Sequence, residues 1–320
     1  MSIKINKNLR VLVIGDIMLD HYIFGNCSRI SPEAPVPIVE ITNETFTLGG
    51  AGNVLENIQS LSSQADIIAV VGVDDHSEIV LAHLVKHNIS PEGLVKDSDR
   101  CTTLKSRVLA VNHQLIRLDR EITKPITPKI INSLLLILKK NILKYDVVLL
   151  SDYNKGLLAD DFIKEIFNIC RGANVKTILD PKGLNFKKYN GVNVIKPNKK
   201  EASLATNIVI NDKKSLQLAC EKIVEDTGCE QVVITMSEEG MAFYDGAELV
   251  VIATKALNII DVTGAGDTVL SSLGIALASG NSFQHACEFA NHAAAVVVNK
   301  VGSSTVTLAE ISERFFIEIN

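Results

Sequence analysis

The sequence predicts an α/β fold in which a mainly parallel sheet packs against helices and carries a small β-strand lid. Three observations lead there. Short continuous aliphatic runs recur along the chain, segments with apolar residues at three- and four-residue spacing separate them, and two β-rich stretches interrupt that alternation.

The first strand is predicted at 9–15, because Val11-Leu-Val-Ile14 is unbroken and Gly15-Asp16 ends it as a turn. Comparable runs stand at 66–72, 146–151, 175–179 and 231–235, with helical periodicity at 53–61, 76–87, 127–143, 158–170 and 213–226. The interruptions are Pro35-Val-Pro-Ile-Val-Glu-Ile-Thr42 with Thr45-Phe-Thr-Leu48, and residues 102–119 around Leu104, Val108, Val111, Leu115 and Ile116. Both read as short antiparallel strands, so the lid is expected at about 35–48 and 102–119. Two short strands near 239–253 then lead to helices at about 265–279 and 282–298, divided by Ser279-Gly-Asn281. No fixed-period repeat is visible, so one domain over 1–320 with the lid inserted in it is expected.

Composition narrows the possible functions. The formal net charge of −5 argues against general nucleic-acid binding, so an anionic ligand must be met by local Lys and Arg. Every apolar run is too short to span a bilayer or form a signal-peptide core, and a cytoplasmic location is the expectation. Cys27, Cys101, Cys170, Cys220, Cys229 and Cys287 form no C-x-x-C pair, so reduced thiols are expected rather than a zinc site or a disulfide framework.

The chemistry gathers at Asp261-Val-Thr-Gly-Ala-Gly-Asp-Thr268, just before an apolar helix. Gly264 and Gly266 let backbone N–H groups turn outward at the helix start, where the dipole favours an anion. Asp267 would stand beside that anion, placed to take a proton from an attacking hydroxyl. Taken alone, the run is equally a tight turn with a capping Asp. Asn198 and Glu201, three apart after Lys196-Pro197, likewise read as an N-cap and a first-turn acid.

The combination is more specific than its parts. Asp261 to Thr268 resembles the carboxy-terminal signature of the ribokinase-like (PfkB) carbohydrate kinases, Gly49-Gly-Ala-Gly-Asn53 its amino-terminal partner, and Asn198-Lys-Lys-Glu201 its Asn-x-x-Glu motif. Gly15-Asp-Ile-Met-Leu-Asp20, Ser28 to Pro37, Gln114 to Asp119, Leu150-Ser-Asp-Tyr153, Asp180-Pro-Lys-Gly183 and Gly302 to Val306 look like the branch that phosphorylates D-glycero-D-manno-heptose 7-phosphate. That branch is the kinase half of a bifunctional enzyme; the His-x-Gly-His motif of its second half does not occur here, so only the kinase step is expected. Gly52 stands where relatives often carry Ala.

The resemblance implies a ribokinase-like three-layer α/β/α core and transfer of the ATP γ-phosphoryl group to the anomeric 1-hydroxyl, a step toward ADP-heptose for lipopolysaccharide core. It implies ATP and Mg²⁺ as cofactors, with a monovalent cation as an optional third. Asp267 is the implied base, with Gly264, Ala265 and Gly266 around the transferring phosphoryl group. Asp20, Gly49, Gly50 and Asn53 are the implied sugar ligands, while Asn198 and Glu201 organise the phosphates and Mg²⁺, Glu201 through water. Lys182, then Arg107 and Arg117, are the candidates for the distal phosphate, although each is also an ordinary surface charge. Thr235, Ser237 and Gly240 resemble the nucleotide-side loop, and the adenine pocket is expected near Asn291 and Val301. A homodimer joined through the lid is expected, because apolar lid strands seek a partner.

The nearest alternative is a kinase of another sugar, sugar phosphate or nucleoside on the same scaffold. A dinucleotide-dependent oxidoreductase is disfavoured, since Gly15-Asp-Ile-Met lacks the Gly-x-Gly-x-x-Gly turn. A silent sugar-binding protein would have no use for Asp267, Asn198 and Glu201 together.

Overall fold

The run Val11 to Ile14 forms the centre of strand Arg10–Gly15, and its alternate residues enter two separate cores. Val11 and Val13 pack with Val54, Leu55, Leu270 and Phe289, whereas Leu12 and Ile14 pack with Leu134, Phe162 and Ile166. A strand covered on both faces must be apolar at every position, which is why this run does not alternate. The computed structural model describes residues 2–110, 113–256, 259–300, 302, 304–313 and 316–319. Val111 and Val301 lie outside them.

Among the described residues, nine strands form one sheet in the order Leu249–Ile252, Met241–Tyr244, Gln231–Thr235, Val194–Ile195, Lys176–Asp180, Val147–Ser151, Arg10–Gly15, Gln64–Gly72 and Leu94–Asp97. The first two are antiparallel additions at one edge, and the remaining pairings are parallel. Helices Ala51–Ser60, Ala265–Ala278 and Phe283–Val297 contribute to one core, and Pro128–Asn141, Asp160–Gly172 and Lys213–Thr227 to the other. The expected three layers are present. A further pair, Ser2–Ile5 with Phe316–Ile319, was not legible in the sequence. No helix among the described residues is long and apolar enough to cross a membrane.

The lid is larger than the sequence suggested. Gly15-Asp16 does not turn the chain; it continues directly into strand Ile17–Ile30, which pairs antiparallel with Pro37–Gly50 and parallel with Thr103–Ala110, itself paired with His113–Arg120. Strand Ile17–Ile30 escaped prediction because Asp20, His21, Asn26, Ser28 and Arg29 break any apolar periodicity. The return strand ends at Gly50, which caps helix Ala51–Ser60 with φ 58° and ψ −129°. A Cβ there would lie 2.4 Å from the Asp16 carbonyl oxygen, the acceptor for Ala51 N–H, so this junction requires glycine.

Candidate active site

Parallel strands present their carboxyl ends along one edge of the sheet, where ligands gather in such folds. Here that edge collects Asp16 after Arg10–Gly15, Asp152 and Tyr153 after Val147–Ser151, Asp180 ending its strand, and Lys196 and Asn198 after Val194–Ile195. Helix Ala265–Ala278 starts beside them. Its cap, Gly264, is left-handed at φ 79°, and no side chain caps the first turn.

Asp267 is the third residue of that helix and is only 4% exposed. Its Oδ2 accepts a 2.7 Å hydrogen bond from Asn53 Nδ2, and its Oδ1 accepts one of 2.9 Å from the Tyr153 hydroxyl. Burial raises its pKa to about 6 despite the Asn53 bond, with Asp180 adding to the rise and Tyr153 and Lys196 opposing it. The carboxylate is therefore oriented by two donors and has no direct cationic partner, which suits a proton acceptor.

Beside Gly266 lies a buried ion pair, Lys196 Nζ to Asp180 Oδ2 at 3.0 Å. A Cβ added to Gly266 would come within 3.6 Å of the Lys196 ammonium and 3.7 Å of the Asp180 carboxylate. The bare glycine leaves room between helix start and cation. Asn198 and Glu201 do form a capping box, each side chain bonding the other's backbone N–H, while the second Glu201 oxygen takes the Lys182 ammonium. The cap fixes where Glu201 points, so the local and the chemical readings coexist.

These groups line a cavity of about 290 Å³. Tyr153, Asp180, Lys182, Lys196, Glu201 and Asp267 form its polar end. Met241, Ala256, Ile259, Val262, Ala294 and Val298 form an apolar end. Thr235, Ser237, Gly240 and Asn291 stand on its wall as expected. Gly240 has φ 92°, and a Cβ there would lie 2.2 Å from the Ile252 carbonyl oxygen. The Asn291 amide is already committed, donating 2.8 Å to Ala253 O, so it holds the wall in place.

The lid supplies the other half. Because side chains alternate along a strand, the registered rows Asp20–Lys105–Asp119 and Tyr22–Arg107–Arg117 share one face. That face looks onto the polar end, since Lys105 Nζ lies 5.4 Å from the centre of the Tyr153 ring. Asp20 is buried and salt-bridged to Arg107 at 2.5 Å, and its Oδ2 would meet a Cβ at Gly49, which explains that glycine. Arg117 is bidentate to Asp119 and more exposed.

The structure thus brings together Asp267, Asn53, Asp20, Gly49, Gly50, Gly264, Gly266, Asn198, Glu201 and Lys182. Lys182 lies in the cleft, paired with Glu201 and 5.8 Å from the centre of the Tyr153 ring, which Lys105 of the lid also approaches. Asp16, which the sequence placed only in a turn, is buried and accepts from the N–H groups of Tyr153, Lys155 and Leu157, so it clamps the turn that carries Tyr153. Lys105, Tyr153, Asp180 and Lys196 had no role assigned from sequence. Lys196 did leave a signal, a cation directly after the buried Val194-Ile195 pair at a strand's carboxyl end.

The donor set suits a polyphosphate with a hard cation. Oxygen ligands from Asp180, Glu201 and Asp267 match Mg²⁺ rather than a soft metal. Among the described residues, however, those oxygens do not converge into one coordination shell, which fits a metal held largely through water.

Comparisons with known proteins give the family and the fold. The description "pfkB family carbohydrate kinase" matches residues 8–310. The chain is 44% identical over 304 residues to the "Bifunctional protein HldE" of Sulfurimonas denitrificans, covering 95% of this chain and 64% of that protein. The HldE of Desulfatibacillum aliphaticivorans is 41% identical over 311 residues, 97% of this chain and again 64% of the relative. The chain therefore spans somewhat under two thirds of the curated relatives it matches. Among solved structures, Arabidopsis thaliana ribokinase complexed with ribose and ATP superposes with a TM-score of 0.74 at 17% identity, covering 96% of this chain and 98% of that one. Escherichia coli phosphofructokinase-2 in complex with potassium gives 0.77 at 17% identity, over 96% and 97%.

Proposed function

We propose, starting from a chain that belongs to the pfkB family of carbohydrate kinases, that it transfers the γ-phosphoryl group of ATP to the anomeric 1-hydroxyl of D-glycero-β-D-manno-heptose 7-phosphate. The observation that carries this reading is the buried Asp267, oriented by Asn53 and Tyr153 at an uncapped helix start, with lid cations across the cleft. The bifunctional relatives at 41–44% identity, together with the heptose-branch motifs, favour this sugar over others of the scaffold.

In this mechanism Asp20 and the backbone around Gly49-Gly50 hold the sugar hydroxyls, and Asp267 removes the proton from the attacking one. The N–H of Gly266 and the ammonium of Lys196 receive the charge that builds on the transferring phosphoryl group, joined by the Ala265 N–H once it leaves its 3.2 Å bond to the Val262 carbonyl. Mg²⁺, when bound, neutralises charge between the phosphates of ATP, with Glu201 and Asn198 orienting its waters. Thr235, Ser237 and Gly240 line the nucleotide side, and the apolar end of the cavity takes the base.

The distal phosphate is better met by Lys105 on the lid, which has no salt bridge among the described residues, whereas Lys182, Arg107 and Arg117 are already paired with Glu201, Asp20 and Asp119. Burial, the largest influence, pulls the Lys105 ammonium below its ordinary pKa, and an arriving phosphate would restore it. The outward lid face exposes Ile116 and Leu118, consistent with a homodimer through residues 35–48 and 102–119. One domain with its lid inserted, a cytoplasmic location and a place in lipopolysaccharide-core assembly complete the reading.

The test is ATP consumption with heptose 7-phosphate against unphosphorylated heptose, with phosphorus NMR on the product. A bisphosphate formed only from the phosphorylated sugar supports the proposal. Equal or better turnover of another sugar or nucleoside transfers the assignment to that substrate.

A further inference from the structure

Away from the cleft, helix Ala51–Ser60 and helix Asp75–Lys86 bring together Glu56, His83 and His87. One ligating atom from each lies within 4.8 Å of the other two. His83 and His87 are one helical turn apart, the spacing that places two imidazoles on one face, and Glu56 answers them from the neighbouring helix. His87 Nε2 already stands 3.8 Å from Glu56 Oε1. The two helices are also tied there by Gln59, whose side-chain amide donates to the His87 carbonyl.

We propose that Glu56, His83 and His87 form a divalent transition-metal site that bridges these two helices, separate from the kinase cleft. Two imidazoles and a carboxylate are a ligand set for Zn²⁺, Ni²⁺ or Co²⁺ and a poor one for Mg²⁺. Zinc–ligand bonds of about 2.0–2.2 Å need a modest contraction of the three side chains, which is available because all are only half-buried. With His87 at 35% side-chain exposure and Glu56 at 18%, one side stays open for water as a fourth ligand. The consequence is mechanical: Glu56 stands three residues beyond Asn53, so a metal here would pin the helix that orients Asp267.

The experiment is calorimetric titration of ZnCl₂ into the full chain in excess Mg²⁺, without a histidine tag and in a Cys27→Ser background because that thiol is exposed. Visible absorption with Co²⁺ reads coordination independently. One saturable equivalent is expected, weakened at least about tenfold in His83→Ala and in Glu56→Gln, and unchanged in His113→Ala. Melting in chelator checks that each variant is folded, and zinc should raise the melting temperature of the parent and of His113→Ala by more than that of the His83, His87 and Glu56 variants. Absence of saturable binding by the intact chain overturns the proposal, as does undiminished binding by a folded His83→Ala, His87→Ala double variant.

Discussion

The acid limb of the pH–rate profile tests the assignment of Asp267 as base. Its pKa is raised to about 6, so kcat/KM should fall as pH drops through that value. Ionisation alone leaves about 90% of the base competent at pH 7 and about 10% at pH 5. Phosphate monoesters also titrate near pH 6, so a limb by itself is not diagnostic; its displacement by substitution is. Tyr153→Phe removes a hydrogen bond that favours the carboxylate, one of the influences holding the pKa down. If that bond is worth about 1.4 kcal/mol in favour of the charged form, the limb moves up by about one unit. The competent fraction at pH 7 then drops to about half, while activity at pH 9 is little changed. Progress should be followed by coupled ADP release from pH 5 to 9 at sub-saturating sugar. A profile flat down to pH 5, or a limb that Tyr153→Phe leaves in place, would refute the argument that Asp267 sets the ionisation.

Asp267→Asn should lower kcat by about 10²–10⁴ with little change in ATP affinity. The same substitution should stabilise the fold: a carboxyl pKa raised on folding means stability is lost as pH rises from about 4 through 6. The variant is therefore expected to melt higher than the parent at pH 8, by about 1–3 kcal/mol, and to converge with it near pH 4. Lys196→Met leaves Asp180 buried without its cation and should cost about 3–5 kcal/mol in denaturant melts at pH 8. Because Asp180 can take up a proton, the deficit should shrink toward pH 5; a deficit independent of pH would count against the ion pair. Lys105→Ala should raise KM for the phosphorylated sugar far more than for ATP, whereas Lys182→Ala should act on kcat and ATP, and the reverse pattern restores Lys182 as the distal-phosphate ligand. Gly50→Ala should destabilise by at least about 2 kcal/mol in urea titration, since its φ of 58° and the Asp16 carbonyl both exclude a Cβ.

What the sequence reveals here depends on how local each feature is. Core strands and the long helices were readable because burial on one or both faces imposes a period on neighbouring residues, as in Val11 to Ile14. Asp267 and Asn53 were readable through the glycines beside them, which the backbone itself demands. Tyr153, Lys196 and Asp16 were not, because their roles arise only when strand ends far apart in the chain converge. Nothing near Tyr153 in sequence announces that its hydroxyl will meet a carboxylate 114 residues away. Strand Ile17–Ile30 was missed for a related reason: Ile17 to His21 are buried on both faces and Asn26 to Ile30 exposed on both, so no period of two marks it.

The uninterrupted passage from Arg10–Gly15 into the lid bears on how such a kinase changes its substrate. Since the chain leaves the sheet at Asp16 and rejoins the core at Gly50, where helix Ala51–Ser60 begins, residues 17–50 behave as a cassette whose two splice points are locked to each other by the Ala51 N–H to Asp16 carbonyl bond. Exchanging sugar preference between relatives would require grafting that loop-out together with its pairing strands Thr103–Ala110 and His113–Arg120, because the rows that hold Asp20, Lys105 and Arg117 are shared across both segments. The nucleotide half, built from the other end of the sheet, could remain untouched.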